Sequence, residues 1–193
     1  MREMMNMILV LTVLTAFSGG LLAAVQSGTA VQIENQVLKF QKAPAIAQIF
    51  PDATNDPLSE RFNIPTDTGE LQIFPGILAD GSKAIAFETK GVGFGGPIGL
   101  MVGINLGTDQ IIKARVTTHA ETPGIGSRAK TDLSFVDQFT GKGLDANFAL
   151  KGNNGEIDAM SGATVTSKGV SIAAIQAKEL YQRLKPEIMK QIK

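Results

Sequence analysis

The chain has 193 residues, 44% hydrophobic and 19% charged, which is enough apolar material for one folded domain plus an anchor. Its 18 basic residues balance 18 acidic ones, so bulk charge gives no reason to expect a nucleic acid or an acidic partner. The absence of cysteine and a single histidine, His119, exclude disulfides, thiolate catalysis, cysteine-ligated iron–sulfur or zinc sites and a histidine-rich metal centre.

Residues 1–6 form a short amino terminus, expected on the cytoplasmic side. Residues 7–25, Met7 to Val25, are apolar or small and uncharged. At ~1.5 Å per residue they span roughly 28 Å, close to the ~30 Å hydrocarbon core, and read as one transmembrane helix. A cleaved signal peptide, with Gly28-x-Ala30 as its processing site, is the alternative. Nothing in this segment carries charge for an ion path. Arg2 weakly favours the amino end inside, while Lys39 and Lys42 lie on the other side. Residues 26–70 read as connecting helix and loop. The helix covers Gln32 to Phe50, interrupted at Pro44 and ended by Pro51, and a loop rich in Pro, Asn and Asp covers Asp52 to Gly69.

Residues 71–193 read as the soluble domain. Leu71 to Phe74 is a short strand stopped by Pro75-Gly76. Ala84 to Thr89, Ile98 to Asn105 and Gln110 to Thr118 are further strands, the last two joined by a hairpin-sized link at Leu106 to Asp109. In the last strand Ile112, Ala114 and Val116 alternate with Lys113, Arg115 and Thr117, the pattern of a half-buried antiparallel strand. Lys130 to Phe139 reads as a short helix. Asp145 to Leu150 reads as a strand, followed by a turn at Gly152 to Gly155 and a short edge at Ile157. From Thr164 a helix runs to about Leu184, before Pro186, with Val170, Ala173, Ala174, Ala177, Leu180, Tyr181 and Leu184 as its apolar stripe. The fold class is α+β: an antiparallel sheet with helices packed on it, after one amino-terminal membrane helix.

Three stretches carry chemistry. Gly91, Gly93 and Gly96 match GxGxxG, but Pro97 and a strand follow where a dinucleotide fold needs a helix, so the Rossmann reading fails. A glycine turn that lets a ring approach the backbone and a plain tight turn both remain. The second stretch, His119-Ala-Glu121-Thr122-Pro123-Gly124-Ile125-Gly126, leaves the end of a strand as a loop, where binding groups concentrate. His119 has no nucleophile beside it and reads as structural. The third is Asp158-Ala-Met-Ser161-Gly162-Ala163-Thr164, a turn opening the last helix. Hydroxyls crowd it at Ser161, Thr164, Thr166 and Ser167. The unpaired first amides of a helix suit a phosphate there, although Ser and Thr also serve as ordinary N-caps. Glu156 and Asp158 share one face if extended, which also admits an acid–base pair.

Asp-x-x-Ser-Gly-Ala-Thr resembles the flavinylation motif of FMN-binding domains in membrane redox complexes, and His-x-Glu-Thr-Pro-Gly-x-Gly resembles their second signature. With Phe94 at the aromatic place of the glycine segment, the chain is similar over nearly its whole length to the G subunits of Rnf ion-translocating ferredoxin:NAD oxidoreductases. The related C subunits of sodium-translocating NADH:quinone oxidoreductases are the alternative, and the shortness of this chain favours the Rnf side. The family often has Leu where Ile125 stands, a volume-conserving change.

The resemblance implies FMN held by a phosphoester to Thr164, with Ser161, Gly162 and Ala163 in the attachment turn. It implies that Glu121 and Thr122 bond the isoalloxazine or ribityl groups, with Ile125 against the ring and Gly124 in the same site; Asp158 is read as supporting the flavin loop and helping to orient the Thr164 hydroxyl. It further implies electron transfer without a substrate-converting site, an extracytoplasmic domain, flavin and iron–sulfur partner subunits in the plasma membrane, and loading by an FAD:protein FMN transferase with Mg²⁺. A membrane-anchored sensor holding flavin noncovalently, and a structural assembly protein, are the readings from other classes.

Overall fold

The computed structural model describes residues 2–67 and 69–192. Residues up to Phe40 and residues from Gln41 onward form two compact units. The first unit is dominated by α1 (Arg2–Val37), which continues without a break past Val25, the end of the expected membrane span. Among the described residues, one helical stretch is long and apolar enough to cross a membrane, and it starts at Arg2. Threonine hydroxyls within it bond back to the helix: Thr12 donates to the Ile8 carbonyl and Thr29 to that of Val25, both at 2.8 Å. Such back-bonding lets hydroxyls sit in an apolar medium.

A π-helical turn (Leu38–Lys42) follows, then α2 (Ala43–Ile49) with Pro44 in its first turn. The irregularity expected at Pro44 therefore falls just before it, where the missing amide relaxes the i to i−4 ladder.

The second unit is built on a five-stranded antiparallel meander, in the order β1 to β5. The strands are β1 (Phe62–Thr66), β2 (Gly69–Ile77), β3 (Lys83–Val92), β4 (Pro97–Asn105) and β5 (Gln110–Val116). One cross-strand row, Ile73, Phe87, Val102 and Ala114, faces the main core. The neighbouring row, Phe74, Ala86 and Gly103, faces the other way, where the Ile49 side chain of α2 fills the space a Cβ at Gly103 would take.

The long carboxyl-terminal helix α5 (Thr164–Gln191) lies on the main face, burying Val170, Ala173, Ala174, Ala177, Tyr181, Leu184 and Ile188. Its approach is unusually close. A Cβ at Gly91 would sit 1.9 Å from the Gly169 carbonyl oxygen, and Thr89 Oγ1 donates to the Ala173 carbonyl at 2.8 Å. This contact fixes the start of α5 beside the β3–β4 turn.

Several expectations are corrected. The loop expected over Asp52 to Gly69 contains β1, an edge strand in which Pro65 is tolerated because an edge leaves one side unpaired. The sheet thus begins upstream of residue 71. Pro75-Gly76 does not stop β2. Beyond Ile73 β1 has ended, and the Asn55 side chain takes its place, donating to the Pro75 carbonyl at 3.0 Å and accepting from the Ile77 amide at 2.8 Å. The amide that Pro75 lacks falls on this open side.

In β5 a register shift opposite Gly103 and Ile104 makes Ile111, not Ile112, the core partner of Ala114 and Val116. The helix expected over Lys130 to Phe139 is two short helices, α3 (Arg128–Thr131) and α4 (Leu133–Val136), with a 3₁₀ turn to Phe139. The break is Asp132, extended, whose carboxylate accepts from the Ser134 amide at 3.1 Å. Asp145 to Leu150 is not a strand. It forms only an isolated bridge from Leu150 to Ile157, and Phe148 plugs the core from a loop. Finally, α5 runs through Pro186 to Gln191, because Ile188 beyond the proline is fully buried.

Candidate functional site

Three loops converge at one end of the sheet. They are Gly93 to Gly96 after β3, residues 119–127 after β5, and residues 158–163 before α5. Together they line a cleft of about 480 Å³ whose walls include Phe94, Glu121, Thr122, Ile125, Gly162, Ala163 and Thr164. Among the residues expected in the site, Glu121, Thr122, Ile125, Gly162, Ala163 and Thr164 all reach it. Ser161 and Gly124 sit at the turns that shape it. Gly162 and Gly124 have φ of 76° and 73°, which explains glycine at both.

The start of α5 separates its hydroxyls. Thr164 is exposed to the cleft. Thr166 is buried and donates to Glu121 Oε2. Ser167 is buried, donates to the Ala163 carbonyl and accepts from the Met160 amide, both at 2.9 Å. Ala163 provides no side-chain cap for the first amides of this 28-residue helix, which carry the positive end of the helix dipole, and the residues of that first turn line the cleft.

Glu121 is only 5% exposed. Its Oε1 accepts from the Gly95 amide at 2.8 Å, while its own amide donates to His119 Nδ1 at 3.2 Å. Burial pushes its carboxyl up, but the bonds from Thr166 and from the Gly95 and Phe94 amides, together with nearby His119, outweigh this and hold it below the ordinary glutamate value. His119 is held below the usual imidazole range by burial and by the nearby Lys130 charge. That suits a neutral structural ring.

The carboxylate of Asp158 is paired with Lys151 at 2.7 Å, and its carbonyl and amide are held by Gln138. Glu156 pairs separately with Lys142 at 2.6 Å. The two carboxylates therefore have different cations and form no acid–base pair with each other. Arg128, which the sequence did not single out, donates from Nε to the Ile125 carbonyl at 3.2 Å and from its guanidinium to the Ser161 carbonyl. It ties the second loop to the third. Gly126 and Val165 also line the cleft. Gly126 was legible as the last position of the motif, but Arg128 and Val165 carry no spacing signal.

The cleft suits a flat ring on a phosphate tail. Its volume lies in the range of small-molecule sites. Its mouth is apolar at Phe94, Ile125 and Val165, which are 76%, 49% and 52% exposed. Its floor is a helix amino terminus.

Residues 93–179 match the family model described as FMN-binding domain. The chain is 32% identical to the G subunit of the ion-translocating oxidoreductase complex of Escherichia coli (strain K12), the match covering 94% of this chain and 92% of that protein. The chain belongs to this G-subunit family. It is also 30% identical to the G subunit of the same complex in Stutzerimonas stutzeri, over 72% of this chain and 64% of that relative. The fold resembles the crystal structure of the C subunit of the Na⁺-translocating NADH-quinone reductase from Parabacteroides distasonis, with a TM-score of 0.50 and 23% identity over 59% of this chain and 62% of that one. In this member of the G-subunit family, the span that matches the FMN-binding domain begins in the glycine loop and ends in α5. It contains all three cleft loops.

Proposed function

We propose that the chain is a membrane-anchored electron-transfer protein that carries FMN covalently on Thr164 within an Rnf-type ion-translocating oxidoreductase complex. The observation that carries this reading is the sorting of hydroxyls at α5. Thr166 also lines the cleft but is buried and bonded, as Ser167 is, whereas Thr164, the position the motif names, is the exposed helix threonine of the lining. Thr164 Oγ1 would accept the FMN phosphoryl group of FAD from a dedicated transferase with Mg²⁺, with AMP as leaving group. The first amides of α5 and the Ser161–Ala163 turn would hold the phosphate. Phe94, Thr122, Gly124, Ile125 and Val165 would flank the ring, with Glu121 behind them.

Bound there, the flavin supplies one- and two-electron chemistry that no side chain of this cysteine-free protein offers. The protein's part is to fix position, exclude water on the apolar side and prevent loss of the carrier. The amino-terminal helix would anchor a single-pass protein in the plasma membrane, with the domain of residues 71–193 and its upstream strand on the extracytoplasmic side. Its partners would be the membrane, flavin and iron–sulfur subunits of the complex.

The test is a denaturing gel of membranes from a host with active transferase. Wild type should give a fluorescent band and Thr164→Ala a dark one. Two dark bands would remove the covalent claim, and a variant that keeps FMN only before denaturation would favour noncovalent binding.

A further inference from the structure

Glu121 stands in a flavin motif, yet both of its carboxylate oxygens are occupied by protein donors from two other segments. Oε1 holds the glycine loop through the Gly95 amide. Oε2 holds α5 through Thr166, which is 2% exposed. The surroundings are shaped to this carboxylate. A Cβ at Gly93 would lie 2.4 Å from Oε1, and one at Gly126 would lie 2.6 Å from Oε2 and 2.7 Å from Thr166 Oγ1. A Cβ at Gly95 would strike the Ala120 carbonyl at 2.1 Å. Three glycines from two loops thus give way to one side chain and its own strand end. Phe94, between Gly93 and Gly95, has little packing of its own at 76% exposure, so its position depends on the loop that carries it.

We infer that Glu121 is a positioning residue: its carboxylate pins the Gly93–Gly96 loop to the first turn of α5, which sets the gap between Phe94 and Thr164 and keeps the Thr166 hydroxyl away from modification. The role rests on the proposed FMN site for its purpose, but the pin itself exists in the chain before any flavin is attached. It also separates shape from charge. A glutamine can accept from Gly95 through its oxygen and donate to Thr166 through its nitrogen, with the hydroxyl turned round. Glu121→Gln therefore keeps both links without the charge, and Glu121→Ala loses both.

The experiment is site-resolved hydrogen–deuterium exchange on the full-length chain in detergent, expressed without the transferase. The amide read is Gly95. Glu121→Ala should speed its exchange about tenfold or more, while Glu121→Gln stays within about twofold of wild type. Should the alanine variant not fold, Thr166→Val provides the test. It removes only the α5 limb, and the Gly95 amide should still loosen although residue 166 makes no hydrogen bond to that loop. An unchanged Gly95 amide in Glu121→Ala or Thr166→Val, or a glutamine variant as loose as the alanine one, overturns the inference. As a second readout, the samples are treated with transferase and FAD, and the flavin is mapped by peptide mass. Glu121→Ala should load less at Thr164 and acquire FMN at Thr166, and loading confined to Thr164 at the wild-type level would overturn the inference. A wild-type chain that takes up no flavin defeats the proposed function and leaves the exchange result standing.

Discussion

Among the hydroxyls at the start of α5, surroundings rather than residue type distinguish the exposed one that lines the cleft, Thr164. Serine and threonine crowd that turn, and a motif alone ranks them only by resemblance. Burial and hydrogen bonds rank them physically. The same carboxylate that holds Thr166 gives a pH dependence. Because Glu121 is held below its ordinary value, its contribution to stability is complete above the unfolded value of 4.5 and is lost as pH falls through the lower folded value. His119, also depressed, acts in the same direction below its ordinary value of 6.5, with Lys130 as its opposing charge. Glu121→Ala should therefore cost about 1–3 kcal/mol at neutral pH, for leaving buried donors unpaired, and the deficit against wild type should shrink in acid below pH 4.5. Denaturant melts at both pH values check this. At this scale the two signatures made most of the cleft lining legible, because Thr164, Gly162 and Thr122 line the cleft from the places they hold in the motif. Arg128 was not legible, since its partner, the Ser161 carbonyl, is a backbone atom distant in sequence. The Glu121 side chain was legible as important but not for its partners, which lie on two other segments.

At the level of elements, proline marks where local rules yielded. Pro75 and Pro186 each look like a stop, and each lies inside an element. In β2 the deficit is met by Asn55. In α5 the burial of Leu184 and Ile188 on either side outweighs a broken turn, together with the grip of Asp109. That residue, at φ 54° in the β4–β5 turn, accepts from Tyr181 Oη and Lys185 Nζ, each at 2.6 Å. Ile188→Ala should lower stability by about 2–4 kcal/mol and fray the helix end in far-UV circular dichroism. Tyr181→Phe should cost about 1 kcal/mol and leave the helix intact. Gly91→Ala should be worse than either, because its methyl meets the backbone carbonyl of Gly169 rather than a movable side chain. Its melting temperature should fall, and flavin attachment with it, since this contact sets where α5 begins. The strands with clear alternation, β3 and β4, and the apolar stripe of α5 were readable. β1 was not, because five residues containing a proline carry too little pattern.

For the whole molecule, the lack of cysteine is an experimental advantage. A cysteine placed at exposed Lys151 would be the only thiol. In intact cells a membrane-impermeant maleimide should label it if the domain lies outside, and labelling only after lysis would reverse the proposed orientation. The two borders of the meander have a separate consequence. On one side β1 carries Pro65, and where β1 ends the Asn55 amide occupies the β2 groups that a foreign strand would seek. On the other side the segment 141–144 covers β5: the Ile111 amide donates to the Lys142 carbonyl at 2.9 Å, and its own carbonyl accepts from the Gly141 amide at 2.7 Å. Both margins of the sheet thus carry obstacles to templated pairing with another copy. A domain confined near a membrane surface meets its neighbours at high local concentration, and the obstructed margins of this sheet disfavour polymerisation through them.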